Sequence, residues 1–130
     1  MAKFLQVGDS ARADRVALAK AVRLELTRAG LPLRSASDPA GPGADIEIDM
    51  GDDEAGGVFV TWHADGSLTL AAAQSVSEGR FDDEVIRRSG VISEAMRDSI
   101  IAILNAANLV AVQSDDDMRP LALRVVAAAH

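Results

Sequence analysis

Apolar residues recur at spacings of three and four in two separate stretches of the chain. In the first, Val16, Ala19, Val22, Leu26 and Ala29 form one stripe with Leu18 beside it. That period predicts an amphipathic helix over about Ser10–Ala29 with one face buried. Asp9 or Ser10 is placed to cap its start, and Asp14 lies where an acid favours the helix dipole. In the second stretch, Val91–Val112, the stripe is Ile92, Met96, Ile100, Ile103 and Ala107, and Glu94, Arg97, Asp98 and Asn105 form the polar side. Both helices are predicted to end in the same way. Leu26, Gly30 and Leu31 stand at C3, C′ and C″ of one, and Leu104, Asn108 and Leu109 at those positions of the other. This is the pattern of a Schellman ending, with Gly or Asn in the left-handed position. Pro32 bars continuation of the first helix, and Leu109–Val112 has the composition of a strand.

Between the helices the period changes to two. Asp45–Met50 alternates strictly, with Ile46, Ile48 and Met50 to the core and Asp45, Glu47 and Asp49 to solvent. Val58–His63 and Leu68–Ala73 flank Ala64-Asp65-Gly66-Ser67, which reads as a hairpin. A two-residue Asp-Gly loop would mix polar and apolar faces. A three-residue Ala-Asp-Gly loop, with Gly66 left-handed, pairs Trp62 with Leu68 and Val60 with Leu70, and gathers Thr61, His63, Ser67 and Thr69 on the other face. Phe81–Arg88 reads as a short helix opened by acids, with a break at Ser89-Gly90 before the long helix. Leu121–Val126 returns as a strand with Leu121, Leu123 and Val125 inward. Residues 34–44, rich in Ser, Pro, Gly and Ala, predict a mobile loop, and residues 1–8 and 127–130 are expected to fray. The predicted order is α-β-β-β-α-α-β-β. It describes an α+β, two-layer domain, with a mainly antiparallel sheet of about five strands and two principal helices packed on one face.

Composition narrows the function classes. At 130 residues, a single domain spanning 1–130 is expected. The chain has no cysteine, which removes disulfides, thiolate metal sites and cysteine nucleophiles. No signal-peptide core or apolar run of membrane-spanning length is legible, so a cytoplasmic location is expected. Twenty acidic residues against thirteen basic give a formal charge of −7. With the arginines scattered among acids, nucleic acid and anionic membranes are disfavoured as partners, whereas a basic protein surface is compatible. Aromatic residues are 3% of the chain, so the core must be aliphatic and Ala-rich.

Candidate chemistry is sparse. Asp45, Glu47, Asp49, Asp52, Asp53 and Glu54 are the densest charge. They lack the spacing of a calcium loop and read as a solvated strand face and turn. Asp115-Asp116-Asp117 diverge, with Arg119 at hand to neutralise one, and read as turn chemistry. His63 would need an orienting carboxylate and a nucleophile to act as a base. Asp65 is close in sequence, but a hairpin tip holds geometry poorly, so an exposed strand-end histidine is the plainer reading. No nucleophile elbow, phosphate loop or H-E-x-x-H pattern is present, and no metal or cofactor is expected. The remaining candidate surface is the outer sheet face formed by Asp45, Glu47, Asp49, Phe59, Thr61, His63, Ser67 and Thr69. There Phe59 is either an exposed anchor for a protein partner, or covered by a second copy, or core if the hairpin register is wrong.

The segments AGLPL, IEID and GGVFVTWHADGSLTLAA with a following helix give an element order similar to that of type III secretion chaperones and YbjN-like small acidic domains. The resemblance spans about Leu18–Val126 and its motifs are short. It implies a helix, three antiparallel strands, a helix and two further strands, usually in a dimer; the final helix of such chaperones has no counterpart here. The expectation is a non-enzymatic, chaperone-like or adaptor-like protein-binding domain using the acidic sheet face. The alternatives are an immunity- or antitoxin-type inhibitor of a basic partner, and a small-ligand domain or enzyme using His63 and nearby acids.

Overall fold

The computed structural model describes residues 9–35, 37–38, 41–49, 57–115, 119 and 121–128. The elements run α1 (Asp9–Arg28), β1 (Gly43–Asp49), β2 (Gly57–His63), α2 (Gly66–Ser77), α3 (Glu84–Ala106), β3 (Leu109–Gln113) and β4 (Leu123–Ala128). The strands form one antiparallel sheet in the order β1-β2-β4-β3. The architecture is α+β, with four strands among the described residues. The stripes of α1 (Ala19, Val22, Leu26) and α3 (Ile100, Leu104) meet one face of the sheet, which contributes Val58, Val60, Leu109, Ala111, Leu123 and Val125. Burying each of the larger of these side chains stabilises the fold by about 1.5–3 kcal/mol. Trp62, Ile46 and Ile48 pack at the margin of the same cluster.

Both helix exits follow the capping chemistry of their sequences. Gly30 has φ 89° and Asn108 φ 66°. The Leu31 N–H donates to the Leu26 carbonyl and the Gly30 N–H to the Thr27 carbonyl, each at 3.0 Å, completing the Schellman pair after α1. After α3 the Asn108 N–H donates to the Asn105 carbonyl at 3.1 Å. At the start of α1, Asp9 and Ser10 are already helical, so neither caps it; the residue before them lies outside the described residues.

The middle of the chain departs from expectation. Leu68–Ala73 is not a strand but lies inside α2, so the order is α-β-β-α-α-β-β. Asp65 is an N-cap and not a turn residue: its carboxylate accepts from the Ser67 N–H at 3.0 Å. The Ala71-Ala72-Ala73 run then favours the helix over the short alternation Leu68-Thr69-Leu70. The β2 strand pairs instead with β1, Trp62 opposite Ala44 and Val60 opposite Ile46, and with β4, Val60 opposite Leu123. Nor does Ser89-Gly90 break a helix. The α3 helix runs unbroken for 23 residues, about 34 Å. Its first turns pack on α2, and the Ser75 hydroxyl donates to Asp83 at 2.8 Å across the turn between them.

Other boundaries shift less. The expected loop 34–44 is closed by two backbone bonds, Arg34 N–H to the Ala44 carbonyl at 2.8 Å and Ala44 N–H to the Pro32 carbonyl at 2.9 Å. Residues 36, 39 and 40 lie outside the described residues. The β4 strand starts at Leu123 and includes Ala127 and Ala128, expected to fray, while Leu121 precedes it and is exposed. The expectation for residues 1–8 and 129–130 concerns residues that are not described.

Gly90 makes a sharp test of the continuous α3 helix. A methyl group added there meets nothing within 4 Å. Gly90→Ala is therefore expected to stabilise the fold by about 0.5–1 kcal/mol, read as a higher denaturation midpoint at unchanged slope. A hinge at this position would give the opposite sign.

Candidate functional site

Because both α1 and α3 pack on one side of the sheet, the candidate site is the other side. The β1–β2 register sets Asp45 opposite Thr61, Glu47 opposite Phe59 and Asp49 opposite Gly57. The β2–β4 register sets Phe59 opposite Arg124, and the β3–β4 register sets Val112 opposite Arg124. The acids thus line the β1 edge. Arg124 stands in the middle, and Val110, Val112 and Val126 are exposed on the β3 side.

Phe59 is not an exposed anchor. It is 1% exposed, although it belongs to the outer face and not to the helix-packed core cluster. The residue that covers it is Arg119, from the connection between β3 and β4. Its guanidinium carbon stands 4.2 Å from the ring centroid. The same group donates to Glu47 at 2.6 and 3.2 Å and approaches Asp49 at 3.5 Å. A half-solvated ion pair is worth at most about 1 kcal/mol, and a cation over an aromatic face about as much. The larger consequence is that this lid keeps water from the Phe59 ring. The sequence pointed to Arg119 only as a neutraliser for Asp115–Asp117. Its actual partners are about 70 residues earlier in the chain, and no local pattern links them.

The other expected site residues divide. Asp45, Glu47, Asp49, Thr61 and His63 share the outer face, with His63 Nε2 3.6 Å from Asp45 Oδ2. Ser67 and Thr69 do not join them, because they belong to the first turns of α2; the Thr69 hydroxyl donates to the Asp65 carbonyl at 3.5 Å. Asp52, Asp53, Glu54, Asp116 and Asp117 lie outside the described residues. Among the described residues, no group of three His, Asp or Glu side chains is placed to hold a metal ion, and no helix is long and apolar enough to cross a membrane.

At the edge of this face a cavity of about 670 Å³ opens between His63, the start of α2 and Arg34. Leu70, Ala64 and Ala73 supply apolar walls; Ser67 and Thr69 supply hydroxyls. The Ser67 hydroxyl and its backbone N–H both donate to the Asp65 carboxylate and hold its pKa below the ordinary 3.8. A carboxylate whose folded pKa is depressed stabilises the fold fully above the unfolded value and ceases to do so as pH falls through the folded one. Amide protection in the first turn of α2 is therefore expected to be constant above about pH 5 and to decline below 3.8. In Asp65→Asn, hydrogen exchange corrected for its intrinsic rate is expected to lose that step.

No family model, curated protein or solved structure matches the chain.

Proposed function

We propose that the chain is a non-enzymatic protein-binding domain, of a chaperone-like or adaptor-like kind, that engages its partner through the outer face of its sheet. The observation that carries this reading is the asymmetry of the two layers. Helices α1 and α3 pack on one side of the sheet, and the other side presents an acidic edge, a buried and clasped Phe59, and exposed Val112 and Val126. Charged groups at one margin with aliphatic side chains beside them suit association, where the charges steer encounter and the apolar residues supply burial. Arg119 neutralises part of the β1 acids through Glu47 and Asp49. This favours a mixed apolar and acidic contact over a purely electrostatic plug for a basic active site.

Photo-crosslinking side chains placed at Thr61 and Val126, with Lys20 on α1 as the helical-side control, test the reading in cells. Adducts of defined mass are expected from the two sheet positions and not from Lys20. Adducts from Lys20 alone would move the interface to the helices and overturn the proposal.

A further inference from the structure

The two edges of the sheet are finished differently. At the β1 edge the chain itself closes the start of the strand: Leu33 forms a parallel bridge to Ala44, held by the two bonds from Pro32 and Arg34. At the β3 edge no strand follows among the described residues. Instead the Asn105 side chain, from the last turn of α3, bonds both polar groups of one β3 residue. Asn105 Oδ1 accepts from the Ala111 N–H at 2.9 Å, and Asn105 Nδ2 donates to the Ala111 carbonyl at 3.2 Å. A side-chain amide has one donor and one acceptor in the geometry of a peptide unit. Asn105 thus makes the pair of bonds that a neighbouring strand would make.

We propose that the β3 edge is a pairing surface for a second copy of this chain, and that Asn105 competes with that copy for the polar groups of Ala111. This goes beyond the partner-binding reading, since it concerns the edge of the sheet and not its face. Two antiparallel β3 strands related by a twofold axis at Ala111 exchange both N–H···O=C bonds between the two Ala111 residues. The register sets Val110 of each copy opposite Val112 of the other, giving two cross-strand valine pairs on the outer face. Leu109 meets Gln113. The strand contains no proline and no charge, the usual protections of an open edge, and Arg124 is the one charge in β4. In a chain of net charge −7, β3 itself carries no charge, so pairing it with its copy sets no like charges opposite one another within the strands. The acidic β1 strands become the two outermost strands of an eight-stranded sheet, roughly 33 Å apart at ordinary strand spacing. That is several times the screening length of about 8 Å at physiological salt.

The test is sedimentation velocity of the full chain over a range of concentrations, comparing wild type, Asn105→Ala and Asn105→Ala with Val112→Lys. Removing the competing amide is expected to lower the concentration at which the mass doubles by at least tenfold. Adding a lysine at Val112 is expected to restore the wild-type mass. Circular dichroism melts establish that each variant is folded. If Asn105→Ala does not fold, Asn105→Ser, too short to reach both groups of Ala111, replaces it with the same expected shift. A folded variant with the wild-type mass throughout overturns the proposal. So does a dimer that Val112→Lys leaves intact, because it forms elsewhere.

Discussion

Phe59→Ala is expected to destabilise the fold by about 3–5 kcal/mol, the range for removing a fully buried aromatic ring. The ring is 1% exposed, lies between Glu47 and Arg124 on the neighbouring strands, and is roofed by the Arg119 guanidinium. Against a total stability of about 5–15 kcal/mol for a domain, the loss is expected to lower the melting temperature by roughly 10–20 °C. Arg119→Ala alone is expected to cost less, about 2 kcal/mol, from an ion pair half in water and a cation over the ring. If Arg119 acts as the cover of the ring, the two substitutions are not additive. The double variant is expected to lose at least 0.5 kcal/mol less than the sum of the single variants. Additive losses in chemical denaturation would mean that the stacking contributes nothing to stability. The same burial makes Phe59→Asp an unsuitable probe of partner binding, since it is expected to unfold the sheet before any interface is tested. Thr61, Val112 and Val126 test that face without this cost.

The second large effect is expected at Gly43, where β1 begins. Its φ is 146°, and a methyl group added there would lie 2.7 Å from the Arg34 nitrogen and 2.9 Å from the Leu33 carbonyl carbon. Both are backbone atoms of the segment that covers the β1 edge, so no side chain can rotate away. Gly43→Ala combines backbone strain of about 1–3 kcal/mol with an overpacking cost of similar size, roughly 2–6 kcal/mol in all. Amide exchange at Ala44 and Arg34, whose bonds tie that segment to β1, is expected to accelerate more than exchange in α3. A melt within a degree of wild type would show that the covering segment can move aside freely. The contrast with Gly90→Ala, the same change with the opposite expected sign, rests on the backbone conformation of each glycine and on what surrounds its Cα.

The outer face was legible in the sequence where it depends on strand alternation. Asp45, Glu47 and Asp49 alternate with Ile46 and Ile48, and Phe59, Thr61 and His63 with Val58, Val60 and Trp62, so each set falls on one side of the pleat. Arg124 follows the same rule between Leu123 and Val125. Thr69 was assigned to that face wrongly because its assignment depended on Leu68–Ala73 being a strand. Leu68-Thr69-Leu70 satisfies a period of two. The same residues also satisfy a helix once Asp65 caps it and three alanines follow.

What the chain determined locally was its two amphipathic helices, their left-handed exits at Gly30 and Asn108, and the inward and outward sides of its strands. Those features depend on residues within one or two turns of each other, where spacing and cap chemistry act directly. Tertiary structure decided the fate of Phe59 and the role of Arg119. Strand order decided which strand has no neighbour on one side among the described residues, and the ion pairs of Arg119 bridge about 70 residues. Such contacts form only once the sheet has assembled, so no periodicity along the chain encodes them.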